Sequence, residues 1–321
     1  MNDLVFLEFI GSHVQQVEER MRDQSDGYNS DLGIALNHLL SSGGKRIRPT
    51  IALLMGGMLG GELDDLVTLG ASVELLHTAT LVHDDLIDGS LLRRGNPTLN
   101  ASWSPAATVL TGDYLFSRAA ALGAALENPA ILSFFSDTLA TIVSGEITQL
   151  FNRQHISDRE AYYKRIYEKT ASLFVLAAKA AAMLSPVDET VKECAKNYGY
   201  ELGMAFQIVD DVLDFTGEQI TIGKPVASDL RQGIVTLPVI SYLELHPDDG
   251  GSIAALVESG GREGELDDLV NRIRSSEAID MAHKEAEQFI ARALEALDKL
   301  PDGRERQALI KLAEFVVSRR V

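Results

Sequence analysis

Two short acidic segments carry the side chains best suited to chemistry. Residues 84–88 (DDLID) and 210–214 (DDVLD) each place aspartates at positions one, two and five. At about 100° per helical residue, these positions lie within an arc of roughly 100°, so the three carboxylates of each segment share one helix face. Each segment follows an apolar run and precedes a helix-stopping glycine, Gly89 or Gly217. We call them the first and second aspartate motifs.

Clustered carboxylates at a helix C-terminus predict a cation site. Like charges at i and i+4 cost about 0.2–0.5 kcal/mol, and the negative end of the helix dipole adds to that cost. A hard divalent cation reverses both effects, and Mg²⁺ is the ion that such oxygen ligands favour. The alternative is an ordinary solvated acidic face. The pairs Asp64-Asp65, Asp248-Asp249 and Asp267-Asp268 have no third acid at i+4, so the doubled motif favours metal binding.

Basic residues flank the two motifs in a chain that is otherwise acidic. Arg and Lys can bind phosphate oxygens, so these clusters predict a diphosphate site beside the metals. The basic segments are Gly43-Gly44-Lys45-Arg46-Ile47-Arg48-Pro49, Arg93-Arg94-Gly95, Lys169-Thr170 and Gly223-Lys224-Pro225.

The elements that position these residues are predicted to be helices. Apolar residues recur with a 3.6-residue period from end to end, and no alternating strand pattern stands out. Breaks fall at 41–44, 89–97, 128–129, 185–186, 217–225 and 246–251, and none resembles an interdomain linker. The sequence therefore predicts an all-α fold, a bundle of ten or more helices in a single domain over residues 1–321. The segment Asp248–Gly264 is predicted to be a mobile surface loop.

Composition limits the partners and the compartment. The chain has 321 residues and a formal net charge of −18, which disfavours nucleic acid as a partner. A single cysteine, Cys194, leaves no intrachain disulfide and fits a reducing compartment. The N-terminus does not resemble a signal peptide, and the longest apolar stretches noted, near 49–61 and 172–184, are shorter than the roughly 20 residues of a membrane span. We expect a cytoplasmic protein without a transmembrane segment.

These blocks together resemble the trans-isoprenyl (polyprenyl) diphosphate synthases, most closely the medium- and long-chain members. The resemblance runs over most of the chain, from Gly43 to Arg319. Besides the basic segments above, the blocks that carry it are Glu74–Asp85, Gly112–Tyr114, Gly145-Glu146 with Gln149, Lys169–Ala171 and Phe206–Asp214.

The resemblance implies a helical bundle around a deep central cavity, usually built as a homodimer, that adds isopentenyl diphosphate head-to-tail to an allylic diphosphate. It implies three Mg²⁺ ions, two on Asp84 and Asp88 and one on Asp210, with support from Asp85, Asp211 and Asp214. The allylic diphosphate would be held by Arg93, Lys169, Gln207 and Lys224. Isopentenyl diphosphate would be held by Lys45, Arg48, His77 and Arg94. The residues next to the developing carbocation would be Thr170 and Gln207.

Small residues before the first motif predict a long product. In the resembled family the product cavity runs along this helix, and Ala79 and Thr80 leave room one turn below Asp84. We therefore expect an all-trans medium- or long-chain product, hexaprenyl to decaprenyl. Geranylgeranyl or farnesylgeranyl diphosphate stays open as the product, because a cavity floor can come from another helix or subunit.

Two positions depart from the family pattern. Ile234 stands where many members have a second diphosphate-binding lysine, and Ala227 stands where glycine is common. Because isoleucine cannot bind phosphate, affinity or rate is expected to differ from that of short-chain relatives.

Other functions remain as alternatives. An HD-type phosphohydrolase would use His83 beside Asp84, but it leaves the second motif without a role. A class I terpene cyclase would share only the first motif. A non-catalytic subunit of a two-component synthase is the main alternative that is not an enzyme, although such subunits tend to lose aspartates and all six are present here.

Overall fold

The computed structural model describes residues 5–25, 30–41, 43–93, 95–152, 154–217, 226–261 and 263–319. The chain divides into two compact units. Unit 1 comprises Met1–Leu139, Leu173–Gly199 and Ala296–Lys311, and unit 2 comprises Ala140–Ser172, Tyr200–Glu295 and Leu312–Val321. The prediction of a single domain over residues 1–321 stays a prediction.

Helices dominate the described residues. Those of the first half are α1 (Gly11–Arg22), α2 (Ser30–Ser41), α3 (Ile47–Leu59), α4 (Leu63–Ile87), α5 (Leu99–Ser102), α6 (Pro105–Ala125) and α7 (Pro129–Phe151). Those of the second half are α8 (Arg159–Ile166), α9 (Ser172–Met183), α10 (Glu189–Thr216), α11 (Ser228–Arg231), α12 (Leu237–Leu245), α13 (Gly250–Ser259), α14 (Glu263–Arg274), α15 (Ala278–Leu297) and α16 (Arg304–Ser318). Between α8 and α9 lies a π-helical turn, Tyr167–Ala171. Single 3-10 turns occupy Val5–Ile10, Asp23–Ser25 and Pro247–Asp249.

Helix α4 forms the centre of unit 1. It packs against α1, α3 and α6, and its middle is apolar on all sides, as expected of a helix buried all round. Gly56 of α3 allows close approach, because a Cβ there would lie 2.1 Å from the Leu66 side chain. Ser72 donates a buried 2.8 Å hydrogen bond to the Ala119 carbonyl of α6. These contacts fix the helix that ends in the first aspartate motif.

The C-terminal half of α10 supplies much of the core of unit 2. Its buried apolar side chains are Leu202, Met204, Ile208, Val209, Val212 and Phe215. Helix α12 packs against α8 and α14 in the same unit. Helix α10 therefore carries the second aspartate motif on its last two turns, as α4 carries the first.

The predicted breaks agree with the helix ends, since α2 ends at Ser41, α4 at Ile87 and α10 at Thr216. The predicted loop at Asp248–Gly264 is wrong. That segment forms a 3-10 turn and then α13, because Ile253 and Val257, one helical turn apart, are both buried. One short antiparallel pairing, β1 (Leu92–Arg93) with β2 (Asn96–Pro97), follows the first motif.

Within the described residues, two helices are long and apolar enough to cross a membrane by length and composition. In α4, 78% of the most apolar window is buried, as in the core helix of a soluble protein. In α7 only 28% of that window is buried. Helix α7, with 23 residues, is longer than the two apolar stretches singled out in the sequence, so the prediction of no transmembrane segment stays a prediction.

Candidate functional site

One face of α4 in unit 1 keeps accessible surface toward its C-terminal end. The side chains on it are spaced by three or four residues: His77, Thr80, Leu81, Asp84 and Asp88. The structure therefore aligns Asp84 and Asp88 with the predicted substrate residue His77. Of the two residues predicted to set product length, Thr80 lies on this face, whereas Ala79 is 0% exposed and packs inside the unit. The effect of either residue on product length stays a prediction.

The middle aspartate of the first motif does not share that face. Asp85 is only 6% exposed, and Arg93 binds both of its carboxylate oxygens at 2.8 to 3.0 Å. Arg93 lies on β1, and Gly95, at a φ of +77°, allows the chain to turn there. Arg93, predicted to bind the allylic diphosphate, is thus paired with a carboxylate of the motif. Arg94 lies outside the described residues.

His83, which precedes the first motif, is held by α6. Its Nε2 lies 3.1 Å from the Val109 carbonyl oxygen, so this nitrogen carries the hydrogen and donates it. Gly112 makes room for the imidazole, because a Cβ there would lie 2.1 Å from that Nε2. This arrangement explains the glycine of the Gly112–Tyr114 block. It also removes Nε2 as a metal ligand, which disfavours the HD-type phosphohydrolase.

The basic segment before α3 has both structural and accessible cations. Arg46, at a φ of +47°, pairs with Glu18 at 2.8 Å and with buried Glu74 at 3.1 Å. Arg48 is 9% exposed, and its guanidinium lies 4.8 Å from the centre of the Phe174 ring. Lys45 is exposed. The two predicted substrate cations, Lys45 and Arg48, therefore flank a structural arginine.

In unit 2, a hydrogen-bonded chain links two predicted site residues, Thr170 and Gln207, to the second motif. Thr170 donates to Gln207 Oε1 at 2.7 Å, and Gln207 Nε2 donates to Asp211 Oδ1 at 2.8 Å. Tyr162, which is 0% exposed, donates to Asp211 Oδ2 at 2.7 Å. Asp211 is thus clamped by two neutral donors, one on each oxygen.

This environment changes the protonation of Asp211. Burial raises the pKa of its carboxyl to about 8, and the negative charge of Asp229 adds to the rise. Hydrogen bonds from Gln207 and Tyr162, and the charge of Arg165, oppose it. Burial also raises the pKa of the Tyr162 phenol well above its usual value. Burial therefore shifts the middle carboxyl of the second motif toward its protonated form, against the two hydrogen bonds that favour the carboxylate.

The outer aspartates of the second motif have strong donors. Asp210 Oδ1 accepts a 2.7 Å hydrogen bond from Arg319, which is also held by the Phe206 carbonyl and lies 4.3 Å from the Phe206 ring centre. Asp214 accepts from the Ser228 backbone and hydroxyl at 3.1 and 3.0 Å, and from the Asp229 backbone at 3.2 Å.

Ala227 precedes that turn in a left-handed conformation, with a φ of +54°. Its N–H donates to the Asp214 carbonyl at 2.8 Å, so the turn requires the strained backbone. The position at which the sequence departs from glycine is therefore one where glycine would be relaxed. Lys224 lies outside the described residues.

The π-helical turn places Lys169 and Thr170 against different partners. Lys169 Nζ lies 2.6 Å from Glu146 Oε1 of α7, whereas Thr170 is directed to Gln207. Gly145 allows the turn to approach α7, because a Cβ there would lie 2.6 Å from Glu168 Cβ. Wide turns of this kind often mark functional sites. The Gly145-Glu146 and Lys169-Thr170 blocks are thus parts of one local arrangement.

The carboxylates of the two aspartate motifs are the type of ligand that magnesium prefers, but they do not complete its coordination shell. Among the described residues, no group of three or more His, Cys, Asp or Glu side chains is arranged to hold a metal. Mg²⁺ usually takes one or two carboxylates and completes its shell with water and substrate phosphate. The donor set therefore fits an ion that binds together with a diphosphate.

Three residues at the site, Tyr162, Arg165 and Arg319, are not among those predicted from the sequence. Tyr162 and Arg165 belong to α8 and Arg319 follows α16, and Tyr162 and Arg319 bond directly to the second motif. For Tyr162 there is a spacing signal, since Tyr162, Ile166 and Thr170 are buried at four-residue intervals. The family resemblance reaches Arg319, but no pattern links it to Asp210, which lies 109 residues earlier.

Comparisons with known proteins agree with this arrangement. The polyprenyl synthetase family matches over residues 30–273. The chain is 39% identical to octaprenyl diphosphate synthase of Haemophilus influenzae over 88% of this chain and 86% of that protein. It is 32% identical to heptaprenyl diphosphate synthase component 2 of Bacillus subtilis over 100% of this chain and 92% of that protein.

A solved structure gives the same picture. The polyprenyl synthase of Caulobacter crescentus, crystallised with calcium and isoprenyl diphosphate, superposes with a TM-score of 0.91 at 33% identity, covering 98% of this chain and 97% of that chain. The chain belongs to the polyprenyl synthetase family. The predictions of a trans-prenyltransferase of the medium- and long-chain type and of the all-α isoprenoid synthase fold are confirmed.

Proposed function

We propose that this chain transfers an allylic prenyl group from its diphosphate to isopentenyl diphosphate and repeats the addition to give an all-trans medium- or long-chain polyprenyl diphosphate. The observation that carries the proposal is the pair of aspartate motifs, each at the end of a buried helix, in a chain of the polyprenyl synthetase family. Names of relatives such as octaprenyl diphosphate synthase support a product of this length.

Mg²⁺ would be held by Asp84 and Asp88 at the first motif and by Asp210 at the second, three ions in total. Calcium and isoprenyl diphosphate in the Caulobacter crescentus relative support joint binding of metal and diphosphate. When bound, the metal supplies positive charge that stabilises the departing diphosphate.

The chain's own cations would bind and orient the two substrates. Arg93, Lys169 and Lys224 would hold the allylic diphosphate, and Lys45, Arg48 and Arg94 the isopentenyl diphosphate. Fixed cations stabilise negative charge on the leaving group without reorganising, so the allylic C–O bond can ionise. Thr170 and Gln207 would face the resulting carbocation with oxygen dipoles already held by their mutual hydrogen bond. The isopentenyl double bond then attacks this carbocation to form the new C–C bond, and an oxygen of the departed diphosphate takes up the proton that is lost.

We further propose that the protein is a cytoplasmic homodimer. In unit 1, α6 exposes Val109 (40%) and Leu110 (66%); in unit 2, the end of α7 exposes Ile147 (50%) and Phe151 (84%). Apolar surface at helical spacing favours a covering partner. Light scattering after size exclusion at micromolar concentration should give twice the chain mass of 34.9 kDa. A monomer that floats with lipid vesicles would instead favour a membrane-bound α7.

A second candidate is one component of a two-chain synthase. The Bacillus subtilis relative, which matches the whole of this chain, is named as a component 2. All six motif aspartates are present here, which favours a catalytic component over a silent one.

One assay separates these functions. The purified chain is incubated with Mg²⁺, farnesyl diphosphate and labelled isopentenyl diphosphate, and the products are sized. Prenyl diphosphates of thirty carbons or more support the proposal, and twenty or twenty-five carbons support the geranylgeranyl or farnesylgeranyl alternative. Elongation only after a cell extract is added supports the two-chain enzyme. Released phosphate without elongation contradicts all of these.

A further inference from the structure

The segment after α11 in unit 2 borders a cavity of about 240 Å³. Ile234 contributes an apolar side chain where many family members have a lysine. The same cavity is lined by Gln149 of α7 and by Lys164, Arg165 and Glu168 from α8 and the π-helical turn. Among the described residues that line it, the cavity thus has an isoleucine on one wall and two cations, Lys164 and Arg165, on another.

Arg165 is the better placed of the two cations. Its Nη2 donates to the Val235 carbonyl at 2.5 Å, so the guanidinium reaches the backbone directly after Ile234. Its Cζ lies 5.4 Å from the centre of the Tyr162 ring, which supports the planar group from one side. Lys164, by contrast, is 69% exposed and lies 3.9 Å from Glu168, whose negative charge it offsets. Arg165 is half-buried and preorganised, whereas Lys164 is a solvated surface cation.

Arg165 also lies beside the second motif. The Tyr162 ring that it contacts belongs to the side chain whose hydroxyl donates to Asp211. A guanidinium has five N–H donors, and one of them is used on the Val235 carbonyl. Two adjacent N–H groups of Arg can bind phosphate oxygens side by side.

We propose that Arg165 is a diphosphate-binding residue that supplies from α8 the positive charge which Ile234 cannot supply. In this chain the cation stands on α8 and not at position 234, on another wall of the same cavity. The ligand is a diphosphate group. This inference rests on the proposed function, because that function supplies the diphosphate.

Binding of inorganic pyrophosphate with Mg²⁺, measured by calorimetry, tests the proposal without turnover. Arg165→Met keeps the length of the side chain and removes the charge, and we expect its pyrophosphate affinity to fall about tenfold, as for loss of one charge-assisted hydrogen bond. Arg165→Lys should keep more affinity than Arg165→Met. Arg272→Met is the matched control, since Arg272 is a 48% exposed arginine of the same unit paired with Asp249.

A relocated charge gives a sharper test. Ile234→Lys added to Arg165→Met should recover most of the lost affinity, and should lower the KM for the allylic diphosphate more than it changes kcat. If Arg165 only stabilised the fold, a lysine on the other wall would not restore the pyrophosphate affinity. Thermal denaturation of each variant shows whether the fold is kept.

Normal pyrophosphate affinity in a folded Arg165→Met variant would overturn the proposal while leaving the synthase function intact. Failure of Ile234→Lys to restore affinity would also overturn it. If the wild-type chain binds pyrophosphate but never elongates a substrate, the proposed function fails and the assignment of Arg165 to the anion stands.

Discussion

The two aspartate motifs share a pattern but differ in how the protein holds them. Both bury the middle aspartate, with Asp85 6% and Asp211 3% exposed. Asp85 is bound on both oxygens by the cation Arg93, whereas Asp211 is bound by the neutral groups of Tyr162 and Gln207. A bonded cation favours the ionised form of a buried carboxylate, whereas burial without one raises the pKa, as it does at Asp211 despite the two donors. The same five-residue pattern therefore produces two different electrostatic environments.

Within each motif, the outer and the middle aspartates have different roles. The outer aspartates, Asp84 and Asp88 in the first motif and Asp210 in the second, keep accessible surface. The middle aspartates anchor the helix ends to neighbouring elements. A simple helical projection places all three carboxylates on one face, and it misses this division because it ignores the packing of the next layer.

The largest effect should come from the outer aspartates. Asp84→Asn and Asp210→Asn remove the charge that holds the metal, so we expect turnover to fall about 10³-fold or more, equivalent to roughly 4 kcal/mol of transition-state stabilisation. Steady-state rates at saturating Mg²⁺ measure it. Asp64→Asn, on the surface at the start of α4, is the control and should keep normal turnover. Turnover within tenfold of wild type for both motif variants would refute the metal assignment.

The next effect concerns the pH dependence of stability and the middle aspartate of the second motif. The pKa of Asp211 is raised on folding to about 8 from 3.8, so between these values the unfolded chain loses a proton that the folded chain keeps. This group therefore destabilises the fold increasingly as pH rises from about 4 to 8, by at most about 1.4 kcal/mol per pH unit. Asp211→Asn should remove that slope.

Urea unfolding in EDTA at several pH values measures the slope. The stability of Asp211→Asn relative to wild type should increase with pH over this range. Parallel curves for wild type and Asp211→Asn would contradict the raised pKa of Asp211.

A smaller effect is expected from Asp85→Asn itself. The change leaves the Arg93 guanidinium without its carboxylate, which costs about 1–2 kcal/mol once the 36% exposure of Arg93 is considered. Chemical denaturation at pH 7 measures the loss. The double variant Asp85→Asn/Arg93→Met should recover part of it, and an additive loss in the double variant would show that the pair is not coupled.

The smallest expected effect is a gain in the free energy of unfolding. Ala227→Gly relieves the left-handed backbone at a φ of +54°, and glycine's larger entropy in the unfolded chain offsets part of the benefit. We expect about 0.5–1 kcal/mol of added stability in urea unfolding. Ala282→Gly, inside α15 and fully buried, is the contrasting control and should destabilise. A loss of stability in Ala227→Gly would show that the strain is not relieved.

Much of the fold follows from local patterns. The helix ends at Ser41, Ile87 and Thr216 coincide with breaks marked by glycine or proline, because these residues act on the chain near them. The prediction of a mobile loop at Asp248–Gly264 is wrong because it rests on composition. The segment is rich in glycine and acidic residues, but burial of two apolar residues, Ile253 and Val257, stabilises α13.

The site could be predicted only where its parts repeat or follow a motif. The aspartates, Lys169, Thr170 and Gln207 are predicted in this way. Their supports are not, because Tyr162–Asp211 and Arg319–Asp210 join residues 49 and 109 positions apart. Ala79 and Thr80 are adjacent in sequence, yet only packing decides which of them is accessible.

The clamp around Asp211 also limits how the chain can change in length. Its two arms, Tyr162 and the Thr170–Gln207 pair, start from positions eight residues apart, with the π-helical turn beginning between them. Removing one residue from that stretch would rotate one arm by about 100° about the helix axis and detach it from the carboxyl. The stretch from Tyr162 to Thr170 therefore accommodates substitutions far more easily than insertions or deletions. We expect its length to be kept in the evolution of the enzyme even where its residues change.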